Sequence, residues 1–167
     1  MIFQIGSSTD CGKFICCSSD DPPPKDASRV AEIYGDYHCD LPLNTLKLLL
    51  KHAKETHPEI KYILLTGDYP AHDVWRQDRM HNLNSATAIV NTITEHFMFT
   101  PVYPAIGNHE IFPVNMFPAE DEPIPLAYDP AWLYDNLADL YQHWLPDQNQ
   151  QRTLRDSGYY SVRIIRE

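Results

Sequence analysis

The sequence predicts an α/β fold, and three observations on the chain lead to that prediction. Two short apolar runs, at residues 61–66 and 102–106, have the composition of strands, and each stops at a glycine. Between them, residues 74–97 contain neither proline nor glycine, which favours one long helix. Strand, helix and strand in this order form a βαβ unit, so we expect the two strands to be parallel neighbours.

A first helix is predicted before the first strand. Residues 6–28 are rich in Ser, Asp, Cys and Pro and are expected to form a loop. Asp40 then has the character of a helix N-cap, Pro42 stands in the first turn, and Pro58 ends the segment. Apolar residues recur between the two prolines at helical spacing, at Leu43, Leu46, Leu50 and Ala53.

The later elements follow from the same kinds of signal. In the long central helix the predicted apolar face contains Leu83, Thr87, Val90 and Ile93 or Thr94. A proline-rich loop at residues 113–125 precedes another helix, which Asp129 and Pro130 open and Pro146 ends. Its predicted buried stripe is Leu133, Leu137, Leu140 and Trp144. The alternation of Tyr160, Val162 and Ile164 predicts a final strand.

Composition narrows the class of protein. The chain has 167 residues, 43% hydrophobic and 22% charged, which is typical of a globular domain with a real core. Its formal charge of −10 leaves no basic surface for a phosphate backbone, so we expect no nucleic-acid partner. No apolar run approaches the roughly 18 to 20 residues of a membrane span, so no transmembrane segment is expected.

The four cysteines lie in the first quarter of the chain, at Cys11, Cys16, Cys17 and Cys39. Such clustering indicates either local disulfides or a metal knuckle, and the adjacent pair at 16 and 17 is an awkward zinc chelate, which favours disulfides. Disulfides imply an oxidising compartment. The first six residues nevertheless carry no export signal, so we expect the natural N-terminus to lie further upstream.

Two polar motifs stand at the predicted carboxyl ends of the strands. Gly67 and Asp68 follow the first strand, and Gly107, Asn108, His109 and Glu110 follow the second. Ligands of open α/β sheets bind at this edge, because the ends of parallel strands meet there. An Asp and an Asn brought together supply oxygen ligands for a divalent metal, and the adjacent His109 can supply a proton to a leaving group.

These motifs resemble two sequence blocks of the calcineurin-like metallophosphoesterases. The longer strings at residues 66–75 and 101–110 are similar to acid sphingomyelinases in particular, as are 113–118, 132–134, 144–146, 153–155 and 158–160. The resemblance implies a partial metallophosphoesterase fold, a β-sheet with flanking helices that makes up half of a four-layer α/β/β/α sandwich. Residues 1–40 would then be a disulfide-stapled loop region, and residues 41–167 the N-terminal half of a truncated catalytic domain.

The resemblance also implies roles for individual residues. Asp68 resembles the carboxylate that bridges two Zn²⁺ ions, and Asn108 resembles a ligand of the second zinc. His109 resembles the histidine that assists departure of the lipid alkoxide, and His72 resembles a second histidine near the phosphate. The implied disulfides join Cys11 to Cys16 and Cys17 to Cys39. The family hydrolyses sphingomyelin to ceramide and phosphocholine with a zinc-activated hydroxide, in an extracellular or lysosomal location.

The sequence departs from the family pattern in its metal ligands. The family's first block, Asp-x-His, has no counterpart at residues 2–8, and the later Gly-His and Gly-His-x-His blocks would lie beyond residue 167. Only Asp68 and Asn108 remain, so we expect an incomplete, inactive fragment that binds little zinc. The alternatives are a non-catalytic secreted binding module and a related phosphodiesterase that acts on nucleotides or other phospholipids. The oligomeric state stays open.

Overall fold

A computed structural model describes residues 5–118 and 123–164; residues 1–4, part of the proline-rich loop and residues 165–167 lie outside the described chain. Helices and strands alternate along it. Their bounds are α1, Leu43–Thr56; β1, Ile63–Leu65; α2, Arg79–His96; β2, Val102–Pro104; α3, Ala131–Leu140; and α4, Gln148–Ser157. Two single turns of 3-10 helix, Val74–Arg76 and Leu126–Tyr128, precede α2 and α3.

The predicted βαβ unit is confirmed. Strands β1 and β2 pair in parallel, with Ile63 opposite Val102 and Leu65 opposite Pro104, and α2 connects them. Both strands have three residues and are shorter than the apolar runs that predict them. The pairing places residues 66–68 and 105–108 at the same edge of the sheet. The described architecture is therefore a small parallel sheet with flanking helices, as expected of a partial α/β fold.

The central helix is shorter than predicted, because the chain turns at Gln77 and Asp78. Asp78 is the N-cap of α2, and its carboxylate accepts a hydrogen bond from the backbone N–H of His81 at 2.7 Å. An absence of proline and glycine does not reveal such an internal cap.

The predicted apolar face of α2 is confirmed at Val90 and Ile93, which are buried in the core, and is wrong at Thr87. Thr87 is exposed and Leu83 only half-buried, while the face toward the core starts one residue earlier and includes polar Asn82. The buried residues of α2 are Asn82, Ser85, Ala86, Ile89, Val90, Thr92 and Ile93. A mixed polar and apolar face of this kind gives a weak periodic signal in the sequence.

Helix α1 begins one residue after Pro42, and the predicted capping role of Asp40 is wrong. Pro42 occupies the N-cap position, no side chain caps the helix, and Asp40 accepts hydrogen bonds from His72 instead. The apolar side of α1 packs on the core only through half-buried residues, Leu46 and Leu50.

The helix that Asp129 and Pro130 open is confirmed as α3. Asp129 Oδ1 accepts a hydrogen bond from the first helical N–H, and Leu133 and Leu137 are fully buried. The helix ends at residue 140, so Trp144 reaches the core from the turn that follows.

Helix α4 has no counterpart among the predictions. Asp147 caps its N-terminus, Gly158 takes the left-handed conformation at its C-terminus, and Leu154 is its one buried residue, so it shows almost no apolar period. The predicted final strand is wrong for residues 160–164, which form no ladder. Tyr160 instead donates a hydrogen bond from its hydroxyl to the carbonyl of Pro104 at 2.7 Å.

The residues before α1 contain neither helix nor strand in the described part and are held by two disulfides. These join Cys11 to Cys16 and Cys17 to Cys39, the pairing that the resemblance implies. Isolated antiparallel bridges at Ser8–Val30 and Glu32–Gly35 add short-range order. This region contacts the rest of the chain through Asp40, which accepts from the backbone N–H of His72, and through Ser18 and Asp20, which accept from the guanidinium of Arg76.

Candidate active site at the carboxyl ends of the strands

The loops that follow β1 and β2 touch each other through two glycines. A Cβ atom on Gly67 would overlap the backbone nitrogen of Gly107, and a Cβ on Gly107 would overlap the carboxylate of Asp68. Gly67 and Asp68 both have positive φ, +83° and +60°. Glycine accepts this conformation freely, and aspartate tolerates it better than most residues. The glycines of both motifs are therefore required by the approach of the two loops.

Glu110 joins the two loops by hydrogen bonds to the backbone of both. Its side chain is 1% exposed, and its carboxylate accepts backbone N–H groups of Asp68 at 3.0 Å, Tyr69 at 2.6 Å, and Gly107. Burial raises the pKa of Glu110, while the three backbone donors oppose that rise. One carboxylate thus satisfies buried donors of both loops, which the strand ladder leaves unpaired.

A pair of buried tyrosines supports the same loop. The hydroxyls of Tyr69 and Tyr141 lie 2.9 Å apart, and both side chains are at least 96% buried. Burial raises the pKa of both phenols, so each remains protonated and the two share one hydrogen bond. Tyr141 directly follows α3, so this contact ties the first loop to that helix.

The two predicted metal ligands lie side by side above Glu110. Asp68 Oδ1 accepts a hydrogen bond from the backbone N–H of His109 at 3.1 Å and therefore lies beside the backbone that carries Asn108. The amide nitrogen of Asn108 donates to Asn115 Oδ1 at 2.7 Å, and its amide oxygen has no partner among the described residues. Both side chains are exposed, so an oxygen of each is accessible to a cation.

The two predicted proton-handling histidines are also brought together. The rings of His72 and His109 meet edge to face, with centroids 4.8 Å apart. His72 is held by Asp40, whose carboxylate lies 2.6 Å from its Nδ1 and accepts a hydrogen bond from its backbone N–H at 2.8 Å. His109 has a buried Nδ1 without a partner in the described part of the chain. The structure thus gathers all four residues that the motifs single out.

The donor set fits part of a divalent metal site. Asp68 and Asn108 offer oxygen atoms of the kind that hard or borderline cations accept. Within residues 5–118 and 123–164, no group of three or more His, Cys, Asp or Glu converges on one point. A closed zinc site has about four ligands, so these residues correspond to a portion of one.

The sequence did not predict the roles that three residues have in this geometry. Glu110 belongs to the Gly-Asn-His-Glu motif but carries no obvious ligand function there. Asp40 was interpreted as a helix cap, and Asn115, which orients Asn108, lies in the proline-rich loop. Two of the contacts are local: Glu110 lies three residues from Gly107, and Asn115 lies seven residues from Asn108. The other contacts of Glu110 and Asp40 depend on partners that the fold brings close.

Comparison with known proteins gives the family. The model of the calcineurin-like phosphoesterase family matches residues 33–165. The chain therefore belongs to the calcineurin-like phosphoesterases, and the matched range includes both the Gly-Asp and the Gly-Asn-His-Glu loop.

The relatives lie among the sphingomyelin phosphodiesterases. The chain is 38% identical to sphingomyelin phosphodiesterase of Bos taurus over 158 residues, which are 94% of this chain and 25% of that protein. It is 29% identical to sphingomyelin phosphodiesterase A of Dictyostelium discoideum over 164 residues, 97% of this chain and 25% of the relative. It is 32% identical to human acid sphingomyelinase-like phosphodiesterase 3b over 136 residues, 81% and 27% of the two chains. The chain spans about a quarter of the length of the relatives it matches.

No helix in the described ranges is both long and apolar enough to cross a membrane.

Proposed function

We propose that this chain carries part of the active site of a zinc-dependent phosphodiesterase that hydrolyses sphingomyelin to ceramide and phosphocholine. The observation that carries the proposal is the junction of the two loops, where Asp68 Oδ1 accepts from His109 N–H at 3.1 Å beside Asn108. The names of the relatives support the substrate, and their 94 to 97% coverage of this chain includes every residue of the junction.

The residues of the junction have distinct roles in this proposal. Asp68 and Asn108 hold a divalent metal, and when bound that metal supplies positive charge to stabilise the phosphate in the transition state. His109 donates a proton to the departing lipid alkoxide, and His72 lies beside it to orient the phosphate. Glu110 keeps Asp68 and Asn108 in register by fixing the backbone of both loops.

The isolated chain is proposed to be inactive, because two oxygen ligands do not hold zinc tightly. Dialysis of the purified chain against zinc, followed by metal analysis, should give well under one ion per chain, with no turnover of a chromogenic phosphodiester. Stoichiometric zinc together with turnover would show that the ligand set is complete and would overturn this part of the proposal.

A chimera tests the catalytic proposal itself. The aligned 158 residues of the Bos taurus enzyme are replaced by those of this chain, so that the remaining three quarters supply the other ligands. We expect hydrolysis of sphingomyelin, and we expect His109→Asn to lower kcat by about 10²- to 10⁴-fold. His38→Asn is the control, since His38 is an exposed histidine whose ring pairs with Asp36 and not with a residue of the junction.

The chimera also separates the alternative functions. Hydrolysis of a nucleotide phosphodiester but not of sphingomyelin would favour a nucleotide phosphodiesterase. A folded chimera without activity toward either would favour the non-catalytic binding module.

The proposed location is extracellular or lysosomal. The two disulfides support it, because disulfides persist in oxidising compartments and are rare in the cytosol. Resistance of both disulfides to glutathione at cytosolic concentration is the expected result in a thiol-trapping assay.

A further inference from the structure

The contact between Asp40 and His72 joins two segments that are 32 residues apart in sequence. Both oxygens of the carboxylate are used: Oδ2 accepts from the backbone N–H of His72 at 2.8 Å, and Oδ1 lies 2.6 Å from its Nδ1. The Asp40 side chain is 21% exposed and the His72 side chain 54% exposed. The carboxylate is therefore the more buried partner, and the imidazole ring is the more exposed one.

A carboxylate at this position determines which ring nitrogen carries the proton. An ionised carboxylate is only an acceptor, so Nδ1 must be the donor, and in the neutral ring Nε2 is then left with a free lone pair. The second contact, to the backbone N–H of His72, holds the backbone that carries the ring, so the backbone and the ring cannot move away from Asp40 together.

The orientation of His72 also affects its neighbour. The His72 ring packs edge to face on His109, whose backbone N–H donates to Asp68. A chain of contacts thus runs from Asp40 through both histidines to the predicted metal ligand. Asp40 directly follows Cys39, which the disulfide to Cys17 anchors in the N-terminal region.

We propose that Asp40 is the positioning residue for His72: its carboxylate holds the imidazole in the Nδ1–H tautomer, with Nε2 presented to the site. The N-terminal disulfide region is thereby part of the catalytic apparatus through Asp40. The catalytic meaning of this tautomer rests on the proposed function, whereas the tautomer itself is a property of this chain.

The chain contains a matched control for the experiment. Asp36 makes the same pair of contacts to His38, with Oδ1 2.9 Å from its backbone nitrogen and 2.8 Å from Nδ1. That pair is local, separated by two residues, and is not among the residues that meet at the strand ends. Asp36→Ala and Asp40→Ala therefore remove the same chemistry at two places.

The test is the long-range ¹H–¹⁵N correlation spectrum of the histidine rings of this chain, recorded at about pH 8.5, where a histidine of ordinary pKa is neutral. We expect a protonated Nδ1 on His72, and we expect Asp40→Ala to abolish that protonation in favour of Nε2–H. Asp36→Ala should leave the His72 signals in place. The His72 signals are assigned by their loss in His72→Gln.

Two results would overturn the proposal: Nε2–H on His72 in the unaltered chain, or a tautomer that Asp40→Ala leaves unchanged. The first needs no variant to fold. In the chimera, Asp40→Ala should lower kcat about tenfold to hundredfold with little change in KM. A chimera without any phosphodiesterase activity would refute the proposed function and leave the tautomer result to decide the role of Asp40.

Discussion

Replacement of Glu110 by alanine should destabilise the protein more than any other single change to a charged side chain described above. The variant leaves three backbone N–H groups without their acceptor, those of Asp68, Tyr69 and Gly107. The Tyr69 donor is fully buried and should cost about 1–3 kcal/mol, whereas water can reach the other two, at about 0.5–1 kcal/mol each. The free energy of unfolding should therefore fall by about 2–5 kcal/mol.

Urea denaturation followed by circular dichroism measures this loss. With a slope of about 2 kcal/mol per molar urea, the midpoint should move down by roughly 1–2.5 M at unchanged slope. The stability of Glu110→Gln should fall between that of the unaltered protein and that of Glu110→Ala. Its carbonyl oxygen can accept from the N–H groups that one carboxylate oxygen served, while its NH₂ group faces the remaining N–H groups and cannot accept from them. Amide hydrogen exchange at Asp68, Tyr69 and Gly107 should accelerate in both variants.

Glu95→Ala is the control, since Glu95 is exposed on α2 and should change stability by no more than about 0.5 kcal/mol. If Glu110→Ala unfolds at the same urea concentration as this control, the carboxylate does not hold the loops. The pH dependence gives a second check. Because burial raises the pKa of Glu110, the stability linked to its protonation is fully present below the ordinary glutamate pKa and is lost as pH rises through the folded-state pKa.

Three further predictions concern the frame of the site. Gly67→Ala should lower the free energy of unfolding by about 3 kcal/mol or more, because its Cβ would overlap backbone atoms. Gly12 has a similar φ of +75° but lies in open space, so Gly12→Ala should lower it by only about 1–2 kcal/mol. Equal losses in urea denaturation would contradict the steric argument. Tyr141→Phe should lower the free energy of unfolding by about 1 kcal/mol, because it leaves the buried Tyr69 hydroxyl without a partner. The variant with Phe at both positions should lose less than the sum of the two single variants, and strict additivity in this double-mutant cycle would exclude the shared hydrogen bond. Serine at both positions of the Cys17–Cys39 disulfide should lower stability by about 2–4 kcal/mol, and an unchanged Tm would show that the bridge constrains nothing.

The elements with a strong local signal were predicted correctly. The apolar runs that end at Gly67 and Gly107 predict the two strands, and the helix between them favours a parallel pairing, because parallel neighbours need a crossover of this kind. Both motifs therefore had to meet at one edge, and Asp68, Asn108 and His109 followed as neighbours. The local sequence pattern and the direction of the two strands were sufficient to predict that these residues lie close together.

The elements with a weak local signal were missed. Helix α4 has one buried residue and is stabilised by capping at Asp147 and Gly158 and by packing on α3, so periodicity did not reveal it. The final strand was predicted from alternation alone, yet a strand needs a partner, and the described residues 160–164 have none.

The sequence by itself determined the family, the parallel pair of strands and the identity of the residues at their ends, because these depend on local pattern and on chain direction. Only the tertiary structure decided what holds those residues. Asp40 could have capped α1, but the approach of the loop after β1 places His72 against it, and both oxygens of the carboxylate contact His72 while no side chain caps the helix. Glu110 likewise holds the two loops together, because they converge around it and leave three backbone N–H groups that one buried carboxylate can satisfy.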